Sequence, residues 1–261
     1  MGFSLNGIRS EDLGIIFLRN SQRPILPQTN DRTLSIPGRN GAWDFGADLD
    51  TRSFTLECAL IEDSAEALQT AVERIAAALV DVKGKPKPLE LVFDTRPDRY
   101  FTVRYVGSLD IERLIRAGQF TLPLIAFDPF SYRIEPILDS DIPLDSDVRL
   151  DGENYAFNIT ESTTIQLDNV GTLSISPVIT ITGSFDTLNL ACGDKLFTYT
   201  EAVDGVLVID GVRLTVQVDG VNKLSKITGD FIDISPGANQ IEVSGVNLNF
   251  QISFYIPAKF L

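Results

Sequence analysis

The chain has 261 residues, 44% of them hydrophobic and 22% charged, which is enough apolar material for one large or two medium folded cores. A formal charge of −14 works against nucleic-acid binding, because affinity for phosphates comes from clustered Lys and Arg displacing counterions. No apolar run approaches the roughly 20 residues that span a bilayer, and the opening MGFSLNGIRSEDLG lacks a basic stretch followed by a greasy one. The expectation is a chain made in the cytoplasm, without membrane contact.

The charge is uneven: residues 1–135 carry 16 basic and 19 acidic groups, residues 136–261 only 6 against 17. Two surfaces of such different character predict two domains, 1–135 and 136–261. Cys58 and Cys192 lie about half the chain apart, so they predict two reduced, buried thiols rather than a disulfide framework or a metal site.

The segment SIPGRNGAWDFG, residues 35–46, places Pro37, Gly38, Gly41 and Gly46 around Arg39 and the only tryptophan, Trp43. Arg and Trp are favoured interface anchors, so this is either an exposed contact loop or a packed hairpin with a core tryptophan. Residues 51–60, TRSFTLECAL, put Phe54, Leu56, Cys58 and Leu60 on one face of a half-buried strand.

The next segment, EDSAEALQTAVERIAAALVDVKG, sets Leu68, Ala71, Val72, Ile75, Leu79 and Val82 on one stripe of an amphipathic helix of about 20 residues. Asp63 with Glu66 reads as a capping box, and Lys83 with Gly84 as the C-terminal stop. LELVF, YFTVRYVG and QFTLPLIAF read as three further strands, closed by DPFSY at 128–132. From about 133 to 152 two prolines and many acids without periodicity read as a linker.

Beyond the linker the pattern is almost purely alternating. TIQLDNV, PVITITG, GVLVID, RLTVQVDG, DFIDIS, NQIEVSG and LNFQISFYI recur every 8 to 12 residues, the spacing of an antiparallel sandwich or jelly roll. Asp210-Gly211, between two of these runs, is the pair that a tight type I′ turn prefers.

Chemistry is scarce. The chain contains no histidine, which removes the usual general base and the commonest metal ligand. Asp94 and Asp98 in FDTRPDRY have the residue types of a glycosidase pair, but with Arg96 and Arg99 interleaved they read as a strand-connecting turn held by surface ion pairs. SDIPLDSD offers oxygen ligands without the spacing or central Gly of a calcium loop, and no glycine-rich phosphate loop opens the helix. Phe185, Phe197, Tyr199, Phe231, Phe250, Phe254 and Tyr255 fall on alternating positions, which places most of them in a core rather than on a sugar-stacking platform. No enzyme activity, cofactor or metal is expected.

Several stretches together resemble the distal tail proteins of siphophages with Gram-positive hosts. They are the opening FSLNG with Leu13-Gly14-Ile15, IPGRNG at 36–41, the single long helix between strands, LVFDTRPDRYFTVRYVG at 91–107 and GQFTLPLIAFDPFSY at 118–132. In the second half Asn169-Val170-Gly171 before SPVITITG, then GVLVID and SPGANQIEVSG, look like the family's C-terminal sandwich.

The resemblance implies a mainly β fold with one long helix. Its first domain would be a β-barrel or split-barrel-like, tail-tube-like ring former, and its second a galectin-like antiparallel β-sandwich. It implies a structural protein at the virion tail tip, a homo-oligomer, most simply a hexamer, whose ring joins the major tail tube protein to the tail-associated hub or lysin protein. Tape measure and receptor-binding proteins would be further neighbours. Subunit contacts are expected at Pro37, Gly38, Arg39, Trp43, Asp98 and Tyr100. At 261 residues the chain has no room for the inserted carbohydrate-binding modules of longer relatives. The alternative is an adhesion module recognising a cell-wall saccharide.

Overall fold

The computed structural model describes residues 2–113, 117–134 and 154–261. Most of the expected linker, with the SDIPLDSD segment, therefore lies outside the described residues. The chain forms two compact units, Met1–Tyr132 and Arg133–Phe260. It is mainly β with one α-helix, the expected fold class, and that helix is too short to cross a membrane.

The first unit is organised on the strand read from residues 51–60. β1 (Phe3–Leu5), β2 (Ile8–Arg9) and β3 (Ile15–Phe17) open it. β4 (Thr29–Ser35) and β5 (Ala42–Leu49) precede β6 (Arg52–Ile61), and α1 (Ala65–Leu79) follows. β7 (Leu89–Phe93), β8 (Arg96–Tyr105), β9 (Ile111–Arg113), β10 (Ala117–Ala126) and β11 (Ser131–Arg133) complete the set.

The main sheet runs in the order β2-β1-β7-β8-β10-β6-β3, curled as a half-barrel, with β9 pairing β10 beyond the end of β8. β6 and β10 pair without a break, from Ile61 opposite Ala117 to Arg52 opposite Ala126. Strand alternation then sends Phe54, Leu56, Cys58 and Leu60, with Phe120, Leu122 and Leu124, to one buried face. Leu68, Ala71, Ile75 and Leu79 of α1 join that same core. Truncating one such fully buried leucine to alanine typically costs about 2–5 kcal/mol.

The helix is shorter than its apolar stripe predicts: 15 residues. The N-cap is Ser64, not Asp63, and its hydroxyl accepts from the Ala67 amide at 3.1 Å. At the other end the helix stops at Leu79, because Val80 turns extended and pairs with Pro86. Val82 therefore never joins the stripe and is fully exposed at 103%. Lys83 and Gly84 belong to a turn capped by Asp81, whose carboxylate accepts from the Lys83 and Lys85 amides, rather than to a helix terminus.

The second unit is a two-sheet sandwich. β12 (Asn154–Ile159), β13 (Thr163–Asn169), β14 (Val178–Phe185), β15 (Thr187–Cys192), β16 (Lys195–Tyr199) and β17 (Val203–Asp210) lead into β18 (Thr215–Val218) and β19 (Val221–Asn222). β20 (Ile227–Gly229), β21 (Gly237–Val246), β22 (Asn249–Tyr255) and β23 (Lys259–Phe260) follow. One sheet has the order β12-β22-β14-β17-β18-β19, the other β13-β21-β15-β16-β20. Ile179, Leu207, Ile252 and Phe254 of the first and Leu190, Phe197, Ile241 and Val243 of the second fill the space between them. Phe185 sits edge-on between Tyr199 and Phe250, at 6.0 and 5.7 Å, a favoured aromatic geometry.

Two turn readings change. Asp210-Gly211 does not make a two-residue turn. Asp210 pairs with Thr215, and the four-residue loop between them is held by the Asp210 carboxylate, which accepts from the Val212 and Arg213 amides. The tight turn lies at Asp219-Gly220, both residues at positive φ between paired Val218 and Val221. DFIDIS is not a strand: only Ile234 bridges, to Ile175.

Both cysteines are free and buried. Burial, reinforced by neighbouring Glu57, pushes the Cys58 thiol up to about 12 from its ordinary 9.0. Cys58 should therefore resist thiol reagents at pH 8 in the native protein and react once it is unfolded. Its contribution to stability should be complete below pH 9.0 and be lost as pH climbs toward about 12, because only the unfolded thiol ionises over that window. Ser64→Ala should cost about 1 kcal/mol, read from the denaturation midpoint of the first unit.

Candidate assembly surface

Between β3 and β6 the chain leaves the main sheet. Among the described residues β4 and β5 pair only with each other, as a two-stranded sheet whose every residue is exposed. The loop is set by Pro37 and by Gly38 at φ 83°, with the Arg39 amide donating to the Ile36 carbonyl at 3.1 Å, the geometry of a type II turn. Gly41 also has positive φ, which L side chains avoid.

Cross-strand register puts Leu34 beside Trp43, and the Arg39 guanidinium stacks on the Trp43 ring at 4.1 Å. The tryptophan is 49% exposed. The sequence left open an exposed contact loop or a packed hairpin with a core tryptophan; in the structure Trp43 is not a core residue. Lower down, a bulge sets Phe45 and Gly46 opposite the single residue Arg32, which ion-pairs with Asp48. Phe45 is 66% exposed, and Ile36 and Leu49 are exposed too.

The hairpin is rooted by a residue that the sequence reading passed over. Arg52, only 5% exposed, has no carboxylate partner among the described residues. Its Nη2 and Nε donate to the Pro24 carbonyl at 2.8 and 3.2 Å, Nη2 also to Ile25, and Nη1 to the Pro129 carbonyl at 3.2 Å. The guanidinium lies 5.0 Å from the Phe101 ring centre. Burial lowers its pKa. Arg52 thus ties the segment entering β4, the strand leaving β5 and the DPF turn to one point.

The expected contact residues separate into two groups. Pro37, Gly38, Arg39 and Trp43 come together at the hairpin tip. Asp98 and Tyr100 lie on β8 of the main sheet: Asp98 pairs with Arg99 at 3.1 Å, and the Tyr100 ring is 6.2 Å from that of Tyr132. The sequence reading missed Leu34, Phe45 and Arg52. The alternation of Leu34 with Ile36 and of Trp43 with Phe45 was the available signal for the first two.

The sites weighed for chemistry resolve into structure. Asp94 occupies the β7–β8 turn and accepts from the Gly2 amide, whereas Asp98 already lies in β8. Among the described residues no cluster of His, Cys, Asp and Glu is arranged to hold a metal ion. Of the seven aromatics in the second half, Phe185, Phe197, Tyr199, Phe250 and Phe254 are buried and Phe231 packs against their core; Tyr255 is exposed.

Residues 8–126 match the family model described as the phage tail protein RIFT-related domain. The chain is similar over 100% of its length to 99% of SPP1 Dit, described as a paradigm of the hub adsorption apparatus in phages infecting Gram-positive hosts, with a TM-score of 0.69 and 16% identity. A chain of the phage P2 baseplate in its activated conformation with Ca aligns over 97% of each chain at 12% identity, with a TM-score of 0.38. No curated protein matches the sequence.

Replacing Arg52 with methionine leaves the Pro24, Ile25 and Pro129 carbonyls without their donor. Arg52→Met should cost roughly 3 kcal/mol and raise amide exchange at residues 24–28 and 128–130 before the rest of the first unit. Denaturation followed by exchange mass spectrometry reads both effects.

Proposed function

From a chain whose residues 8–126 carry the phage tail protein RIFT-related domain and whose whole length has the fold of SPP1 Dit, we propose a structural hub protein at the tip of a long phage tail. In this reading it is a distal tail protein without catalytic activity. The first unit, about residues 1–135, closes a homo-oligomeric ring of about six copies that continues the major tail tube protein. On its far side the ring would meet the tail-associated hub protein, with receptor-binding components nearby. The second unit, about 136–261, would be carried as the galectin-like sandwich.

The observation that carries this reading is the hairpin. A lone two-stranded sheet is marginally stable in water, and this one exposes Leu34, Ile36, Trp43 and Phe45 with two unpaired strand edges. Such an element is expected to be covered in the working assembly, and Arg and Trp are the residue types that dominate binding at interface centres. Pro37, Gly38, Arg39 and Trp43 are accordingly proposed as subunit contacts, with Asp98 and Tyr100 on β8 as a second contact line. The acidic second unit keeps the assembly soluble through charge repulsion.

Light scattering over a concentration series, followed by negative-stain imaging, should find a ring of about six subunits. Trp43→Ala should weaken assembly by roughly 2 kcal/mol, about a thirtyfold rise in the concentration needed for half assembly. Unchanged assembly in Trp43→Ala and Arg39→Ala would remove the hairpin from the interface.

A further inference from the structure

β6 starts at the hairpin root with Arg52 and ends at Ile61, nine residues later. At ~3.3 Å per residue the two ends stand about 30 Å apart. At the far end, the sheet face turned away from the core is apolar. Ile16 pairs with Ala59, Ala59 with Gln119 and Ile61 with Ala117, so these five side chains share that face. Ile61 is 66% exposed and Ile16 45%.

Leu18, Ala59, Ile61, Ala117 and Gln119 border a groove of about 580 Å³, in which Glu112 is the one charged residue among the described lining. Glu112 pairs in register with Gln119, on the same face, and forms no ion pair among the described residues. The hairpin rooted at the opposite end of β6 presents the reciprocal set at its tip. It has Leu34, Ile36, Trp43 and Phe45 for apolar contact, and Arg39, which stacks on Trp43 and likewise lacks a carboxylate partner among the described residues.

We propose that the β6–β10 groove at Leu18, Ala59, Ile61 and Ala117 receives the β4–β5 hairpin tip of a second copy of this chain, with Arg39 of one copy meeting Glu112 of the next. The inference rests on the ring reading above and specifies its acceptor surface. The donor hairpin is rooted at one end of β6 and the acceptor groove lies at the other, so each copy can give a hairpin and take one through two different surfaces. That is the two-patch requirement of a head-to-tail ring. A twofold dimer through the tips would set Arg39 against Arg39, whereas the heterologous contact pairs opposite charges in an apolar surround.

Charge reversal tests it in the full chain, since Arg39 and Glu112 are both exposed and can be changed without disturbing the core. Arg39→Glu and Glu112→Arg should each raise the concentration for half assembly at least about tenfold, and the double variant should recover most of that loss. Oxidising a chain with Asn40→Cys and Gln119→Cys should give a ladder of disulfide-linked oligomers, with the buried Cys58 and Cys192 silent.

Failure of the double variant to recover, or Glu112→Arg assembling like the wild type, overturns the groove while leaving the ring. Loss of binding to a tail hub protein in Arg39→Glu, with self-assembly intact, assigns the hairpin to that partner and also overturns the groove. A wild type that stays monomeric at every concentration, with and without tail proteins, overturns the ring reading itself.

Discussion

The antiparallel ladder between β6 and β10 is the constraint on which the first unit is built. Its ten consecutive residue pairs hold register from Arg52 to Ile61, and a slip of one would turn Phe54, Leu56, Cys58 and Leu60 out to solvent. β3 takes the other edge of β6, β8 and β9 share the other edge of β10, and α1 covers the apolar face. What emerges from either end of β6 is therefore rigidly placed.

Against that rigid ladder the β4–β5 hairpin carries apolar side chains into solvent with little support of its own. Its foot is fixed by the main-chain bond from the Asp50 amide to the Gln28 carbonyl at 2.7 Å and by Arg52 just beyond. A buried guanidinium held by carbonyls is costly to desolvate, and its rigid fork of donors is what lets one residue satisfy three carbonyls on two separate segments. The stability spent at that point goes into the direction in which the hairpin leaves the domain. Stiff placement of an exposed apolar element lowers the ordering cost of association, the usual way that pre-organisation favours assembly.

The second unit uses its charges differently. Lys195 pairs with Asp233, which also accepts from Ser176 at 2.6 Å, and Glu201 accepts from Lys223 at 2.9 Å with Lys226 near at 3.5 Å. Burial works against Asp233, yet Lys195 and Ser176 hold its carboxyl below the usual range; the hydrogen bond from Lys223 does the same for Glu201. These few cations are used up in staples across the sandwich.

Strict alternation by itself determined the central strand, the second-half sandwich and the cores of both units, because a period of two against one buried face leaves one register. The stripe Leu68, Ala71, Ile75 and Leu79 determined the helix for the same reason. The family likeness was readable from IPGRNG and from the ordered segments at 91–107 and 118–132. The sequence could not decide where the helix stops, since Val82 keeps the helical period while the bridge of Val80 to Pro86 ends it. Nor could it separate Asp210-Gly211 from Asp219-Gly220 as the tight turn, because register from neighbouring strands makes that choice. The exposure of Trp43 was open for the same kind of reason. An apolar hairpin reads alike in a core and on an exposed surface, and only the tertiary structure, which packs none of the described residues over it, decides between them.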